Sequence, residues 1–252
     1  MKIVIHRPYF IPWMGYFSKL AFADKFIITD NEYFSKRAYI DRTKIINSQG
    51  EIMWLGLPVG QNYNLPCNKI ILNEKCNPEL ICKKIKHSYA KAKHFNESFP
   101  LIENLILESF ASELILSNIN IKLIIGLLEI IKLKKPEIYL GSALNEIKDR
   151  TEKLIYYCNT TGCNEIIVGS EKSVLVHDNK KLIDSGIIMV LQDFNTNHPQ
   201  YYQTRRVSLG FQKGLSILDC IFNVGFNETK KLLYSCELNY NKMDLDGDIN
   251  GK

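Results

Sequence analysis

Within its first thirty residues the chain sets a short β-branched run (residues 3–5), a loop, a helix-forming stretch and a second apolar run (residues 25–29). No other feature constrains the fold as strongly. Two strands joined through a helix in so short a span form a βαβ unit, whose crossover makes the strands parallel. The expectation is an α/β fold with a Rossmann-like parallel sheet core. In such units ligands bind outside the carboxyl ends of the strands. Here those ends carry His6 and Asp30.

Further along, residues 33–48 are basic and aromatic, and residues 53–59 read as a strand broken by Pro58. Residues 70–72 suggest another short strand. From 77 to 133 the periodicity is helical, with Pro78 opening a helix over 79–93 and further helices over 95–110 and 112–133. Strands follow over 137–140, 165–168 and 187–191, alternating with helices over 146–160 and 179–184, and then helices over 215–222 and 228–233. The expected organisation is an N-terminal βαβ part (1–76), a mainly helical segment (77–135), a C-terminal α/β part (136–236) and a polar tail (237–252).

Composition narrows the class. The formal charge of +5 is mild for 252 residues. It suits weak attraction to anionic metabolites such as nucleotide sugars or acyl phosphopantetheine carriers. The lysines are spread widely and form no stripe of the kind a nucleic-acid binder needs. Seven cysteines, odd in number and without CxxC spacing, predict free thiols in a reducing, cytoplasmic setting, and no signal-peptide core follows the start. The longest apolar run, residues 123–128, is far too short for a membrane span. Neither GxGxxG, P-loop, zinc spacing nor a GxSxG elbow is present, so no metal site and no tightly bound cofactor are expected.

Three constellations can carry chemistry. The loop from His6 to Tyr16 packs aromatic rings and two prolines into a rigid turn, making His6 a candidate base at a strand end. From that loop Trp13, whose simplest role is core packing, and Tyr16 are candidate substrate contacts. Lys36, Arg37, Arg42 and Lys44 follow the second strand, where Arg37 with Arg42 would clamp a diphosphate in bidentate fashion. A polar loop then offers His198 as a second candidate base, with Tyr202 and Gln203 to bond sugar hydroxyls. It is expected to close over the first βαβ unit. Asp219, in an apolar helix, calls for a structural partner such as an Arg or a backbone N–H.

The run His6-Arg7-Pro8-Tyr9-Phe10-Ile11-Pro12-Trp13-Met14-Gly15-Tyr16-Phe17 resembles the opening signature of the WbqC-like family. Asp24 to Ile27, Asp30 with Phe34 to Arg37, Arg42, residues 89–100, Asp149-Arg150 and Leu215 to Asp219 with Phe222-Asn223 continue the likeness over nearly the whole chain. The resemblance implies a place in O-antigen and other surface-polysaccharide clusters. It also implies an N-acyl or aminoacyl (glycine-type) transferase forming an amide on a nucleotide-linked amino sugar. His6 or His198 would then take the amine proton, with Asp30 orienting the imidazole or the amine. The donor would be a thioester of coenzyme A or of an acyl carrier protein. The alternatives are an ATP-dependent amide ligase and a non-catalytic sugar-nucleotide-binding protein of the same pathway.

Overall fold

The computed structural model describes residues 1–35, 39–60, 64–73, 75–111, 113–204 and 210–240. In chain order, β1 (Lys2–His6) leads through α1 (Met14–Phe22) to β2 (Lys25–Ile28). β3 (Arg42–Ile46) and β4 (Ile52–Gly56) follow, then α2 (Pro78–Tyr89), α3 (Phe95–Phe110) and α4 (Leu116–Ile130). The remainder is β5 (Glu137–Leu140), α5 (Arg150–Thr161), β6 (Glu165–Val168), α6 (Glu171–Leu175), α7 (Asn179–Asp184), β7 (Ile188–Leu191) and α8 (Ile217–Tyr234). Five strands form one sheet in the order β5-β2-β1-β6-β7, every pair parallel. Helices flank it, as the βαβ reading requires.

Strand alternation divides the core in two. Ile3 and Ile27 point to a cluster with Leu154, Tyr157 and Cys158 of α5. Val4, Phe26 and Ile28 point to the other face, where one larger cluster also takes in α1, α8 and the buried faces of α2, α3 and α4. Each such side chain withdrawn from water contributes about 1.5–3 kcal/mol. The helices start where their caps dictate. Asn77 accepts from Leu80 N–H with Pro78 in the first turn, and Asp149 accepts from Thr151 and Glu152 N–H.

Several expectations need correction. The helix expected over 146–160 begins only at Arg150, because Asp149 is its cap. The two helices expected over 215–222 and 228–233 are both present within Ile217–Tyr234 (α8), separated by a kink at Gly225, whose backbone is non-helical with a φ of +81° that only glycine adopts freely. Residues 70–72 make only an isolated bridge at Ile71. The strand β3 was hidden by its charges, since Arg42 and Lys44 alternate with buried Thr43 and Ile45; it pairs antiparallel with β4. All seven cysteines are free thiols. Among the described residues no helix is long and apolar enough to cross a membrane.

Candidate functional site

Inserting β6 beside β1 aligns the carboxyl ends of β2, β1 and β6, and there a cleft of about 800 Å³ opens. Ile5, Ile166, Val168 and Met189 give it an apolar floor, while His6, Lys19, Arg150, Lys153, Ser173 and His177 supply polar groups. A few polar side chains over an apolar floor is the form of a small-molecule site.

His6 ends β1, and its ring meets Tyr9 and Tyr16 edge-on at 4.5 and 4.6 Å between centroids. Its Nδ1–H donates to the Arg7 carbonyl at 3.2 Å, a tautomer that leaves Nε2 free to accept a proton. Burial, and after it the charge of Lys19, hold the imidazole pKa well below its ordinary value, so the ring is neutral at pH 7. The loop beyond is tightly held. Ile11 sits at φ +38°, a conformation costing a β-branched residue about 1–3 kcal/mol. Ser216 Oγ donates to the Ile11 carbonyl, and Asn120 Nδ2 donates to those of Pro8 and Ile40.

Lys19 is the residue that sequence reasoning missed. In α1 every side chain from Met14 to Ala21 is buried, so this lysine has no solvent face and turns toward the cleft. That was the available signal: a lone cation in a helix apolar on all sides. Burial lowers its ammonium pKa from 10.5 to about 8. Gly169, at the end of β6, leaves room beside it; a Cβ there would lie 3.7 Å from Nζ.

Charge in the cleft is mainly positive. Arg150 and Lys153 stand in the first turns of α5, with Lys148 just before it. His177 has a buried Nδ1 without a hydrogen-bond partner, and burial, then Arg150, lower its pKa. Arg7 is matched by Glu32 at 2.6 Å. Such a lining favours an anionic ligand.

Of the residues singled out from sequence, His6 lines this cleft. Asp30 lies two residues beyond the end of the neighbouring strand β2, and its buried carboxylate accepts from Ser142 N–H at 2.8 Å and Ser142 Oγ at 2.7 Å. It ties down the turn after β5; Thr29 and Asn31 face the cleft in its place. Tyr16 is buried, with its hydroxyl donating to the Arg7 carbonyl at 3.0 Å, and so braces His6. Trp13 packs on Phe194 and over Gly15, where a Cβ would come within 2.3 Å of the indole. Arg42 is ion-paired with Asp41 at 2.9 Å on the β3–β4 hairpin, away from the cleft lining. Lys36 and Arg37 lie outside the described residues.

The closing loop is likewise corrected. His198 is buried among Phe194, Tyr201 and Phe211, and its Nδ1–H donates to the Pro199 carbonyl at 2.9 Å. Its ring is spent on aromatic packing and does not line the cleft. Tyr202 is exposed. Gln203 is buried; its Nε2 donates to the Gln212 carbonyl and to Asp219 Oδ2, while its Oε1 accepts from Gln212 N–H. Asp219 therefore finds its partners in side chains, Tyr201 at 2.7 Å and Gln203 at 2.9 Å, with Tyr89 beside them.

The WbqC-like protein family matches residues 7–231. Uncharacterized protein Rv1507c of Mycobacterium tuberculosis (strain ATCC 25618 / H37Rv) is 26% identical over 243 residues, covering 92% of this chain and 98% of that protein. No solved structure matches the chain.

Proposed function

This chain belongs to the WbqC-like protein family, and we propose that it is an enzyme that transfers an acyl or aminoacyl group to the amine of a nucleotide-linked amino sugar in surface-polysaccharide biosynthesis. The observation that carries this reading is the pairing of a neutral His6 with a buried Lys19 in a cleft whose other cations include Lys148, Arg150 and Lys153. In this reading the diphosphate is held by Arg150 and Lys153, because cations this close to a helix start meet phosphate oxygens through charge-assisted bonds. The clamp is therefore assigned to α5 and not to Arg42.

The sugar amine attacks the carbonyl carbon of a thioester, and a C–N bond forms. The developing oxyanion faces the Lys19 ammonium, which is largely protonated below pH 8. The amine proton passes to Nε2 of His6. Collapse breaks the C–S bond, and the departing thiolate takes the proton, leaving an amide and a free thiol. No group on the protein is acylated along the way.

Calorimetry with a nucleotide-diphosphate amino sugar, joined to mass spectrometry of reactions with candidate thioesters, tests this. Arg150→Ala and Lys153→Ala should each weaken sugar-nucleotide binding by about 1.5–3 kcal/mol, at least tenfold. Arg150 is exposed, so its loss should leave the melting temperature nearly unchanged. Wild-type affinity in both variants would remove the anionic substrate from the cleft.

A further inference from the structure

The outer face of the β3–β4 hairpin carries groups that the cleft chemistry does not use. Strand alternation buries Thr43, Ile45 and Leu55 and leaves Arg42, Lys44 and Trp54 on the other side. Lys44 and Trp54 are direct cross-strand partners. The Lys44 ammonium lies 5.3 Å from the indole ring and the Arg42 guanidinium 5.9 Å, the latter held by Asp41. Trp54 remains 43% exposed. An open indole bordered by two cations adds little to folding, but a flat ring bearing phosphates would gain from all three groups at once.

Trp54 is also the outer end of a file of rings. Tyr39 stands 5.4 Å from it, Tyr9 stands 5.8 Å from Tyr39, and His6 stands 4.5 Å from Tyr9. The file is anchored where Phe10 N–H donates to the Tyr39 carbonyl at 2.8 Å. His6 and Tyr9, at the inner end of this file, both line the cleft, so the file leads from the hairpin face to the cleft edge.

We propose that this face holds the adenosine phosphate end of a coenzyme A thioester, with adenine on Trp54 and phosphate at Lys44 and Arg42. The pantetheine arm then runs past Tyr39 and Tyr9 and presents the thioester at His6. This rests on the acyl-transfer reading and selects the nucleotide-borne donor over a carrier protein, whose phosphopantetheine has no base to stack. The arm matches about four to five extended residues, roughly 15 Å, which is comparable to the three ring steps.

The test is calorimetry of the full chain with coenzyme A and, separately, with phosphopantetheine, the same arm without adenosine. Coenzyme A should bind about tenfold more tightly than phosphopantetheine, and Trp54→Ala should remove about that factor. Lys44→Ala should weaken coenzyme A several-fold, while Trp54→Phe, which keeps a ring, should retain most of the affinity. Circular dichroism checks that the alanine variants are folded. Equal affinity for the two ligands, no binding of coenzyme A, or unchanged binding by Trp54→Ala would overturn the assignment. Binding of the nucleotide amino sugar is measured on the same variants and should stay at the wild-type value. If only sugar binding fails, the cleft reading falls and the hairpin assignment stands; if only the coenzyme A pattern fails, the reverse holds.

Discussion

Lys19→Met is expected to make the folded chain more stable and the reaction slower. Burial lowers the ammonium pKa from 10.5 to about 8, so the fold disfavours the charged form by about 3 kcal/mol at 1.36 kcal/mol per pKa unit. Methionine has nearly the same length and no charge, so the substitution should recover most of that, raising the melting temperature by roughly 5–10 °C. The pH dependence gives the sharper check. Below about pH 8 both folded and unfolded chains carry the proton and the penalty is constant. Between about 8 and 10.5 the unfolded chain still binds a proton that the folded chain has released, so this group makes stability rise with pH. The difference between wild type and Lys19→Met should therefore shrink across that window in denaturant titrations. Turnover should fall about 10²–10³-fold through loss of the oxyanion partner. A variant that is less stable than wild type, or a difference flat with pH, would mean that Lys19 is not held as a buried charge.

Asp219→Ala should act in the opposite sense, and most strongly in acid. The carboxyl accepts from Tyr201 Oη and Gln203 Nε2 in full burial, so its removal strands at least these two donors at about 1–3 kcal/mol each. The expected loss is about 3–5 kcal/mol near pH 4. Burial raises this pKa from 3.8 to about 6, so the folded chain keeps the proton after the unfolded chain has lost it. The stabilisation is present in full below about pH 4 and is lost as pH rises through about 6. The cost of the alanine variant should accordingly shrink by about 3 kcal/mol between pH 4 and 7. Denaturant titrations at those two pH values decide it; a cost independent of pH would mean that the carboxyl keeps one protonation state throughout. Because Gln203 also bonds Gln212, the same variant should loosen that contact, visible as faster exchange of the Gln212 amide.

Patterns made by near neighbours were legible in the residues themselves. The parallel pairing of β1 with β2, the placing of His6 at a strand end and the bounds of α3, β5, β6 and α7 all follow from periods of two or 3.6 and from turn residues. Where charge masked the period, as in β3, local reading stopped short. The meaning of a polar side chain was another matter. Asp30, His198 and Gln203 stand in segments that look open, yet Ser142, Phe211 and Asp219 occupy them. Lys19 sits in a segment that looks closed, yet it faces the cleft. Which groups meet water and which meet one another depends on strand order, and strand order is set by how the whole chain buries its apolar faces. The alternation in residues 2–6 and 25–28 was enough to put two strands side by side; only the insertion of β6 next to β1, some 160 residues later, could bring Gly169, Lys19 and His6 to one edge and create a charged cleft there.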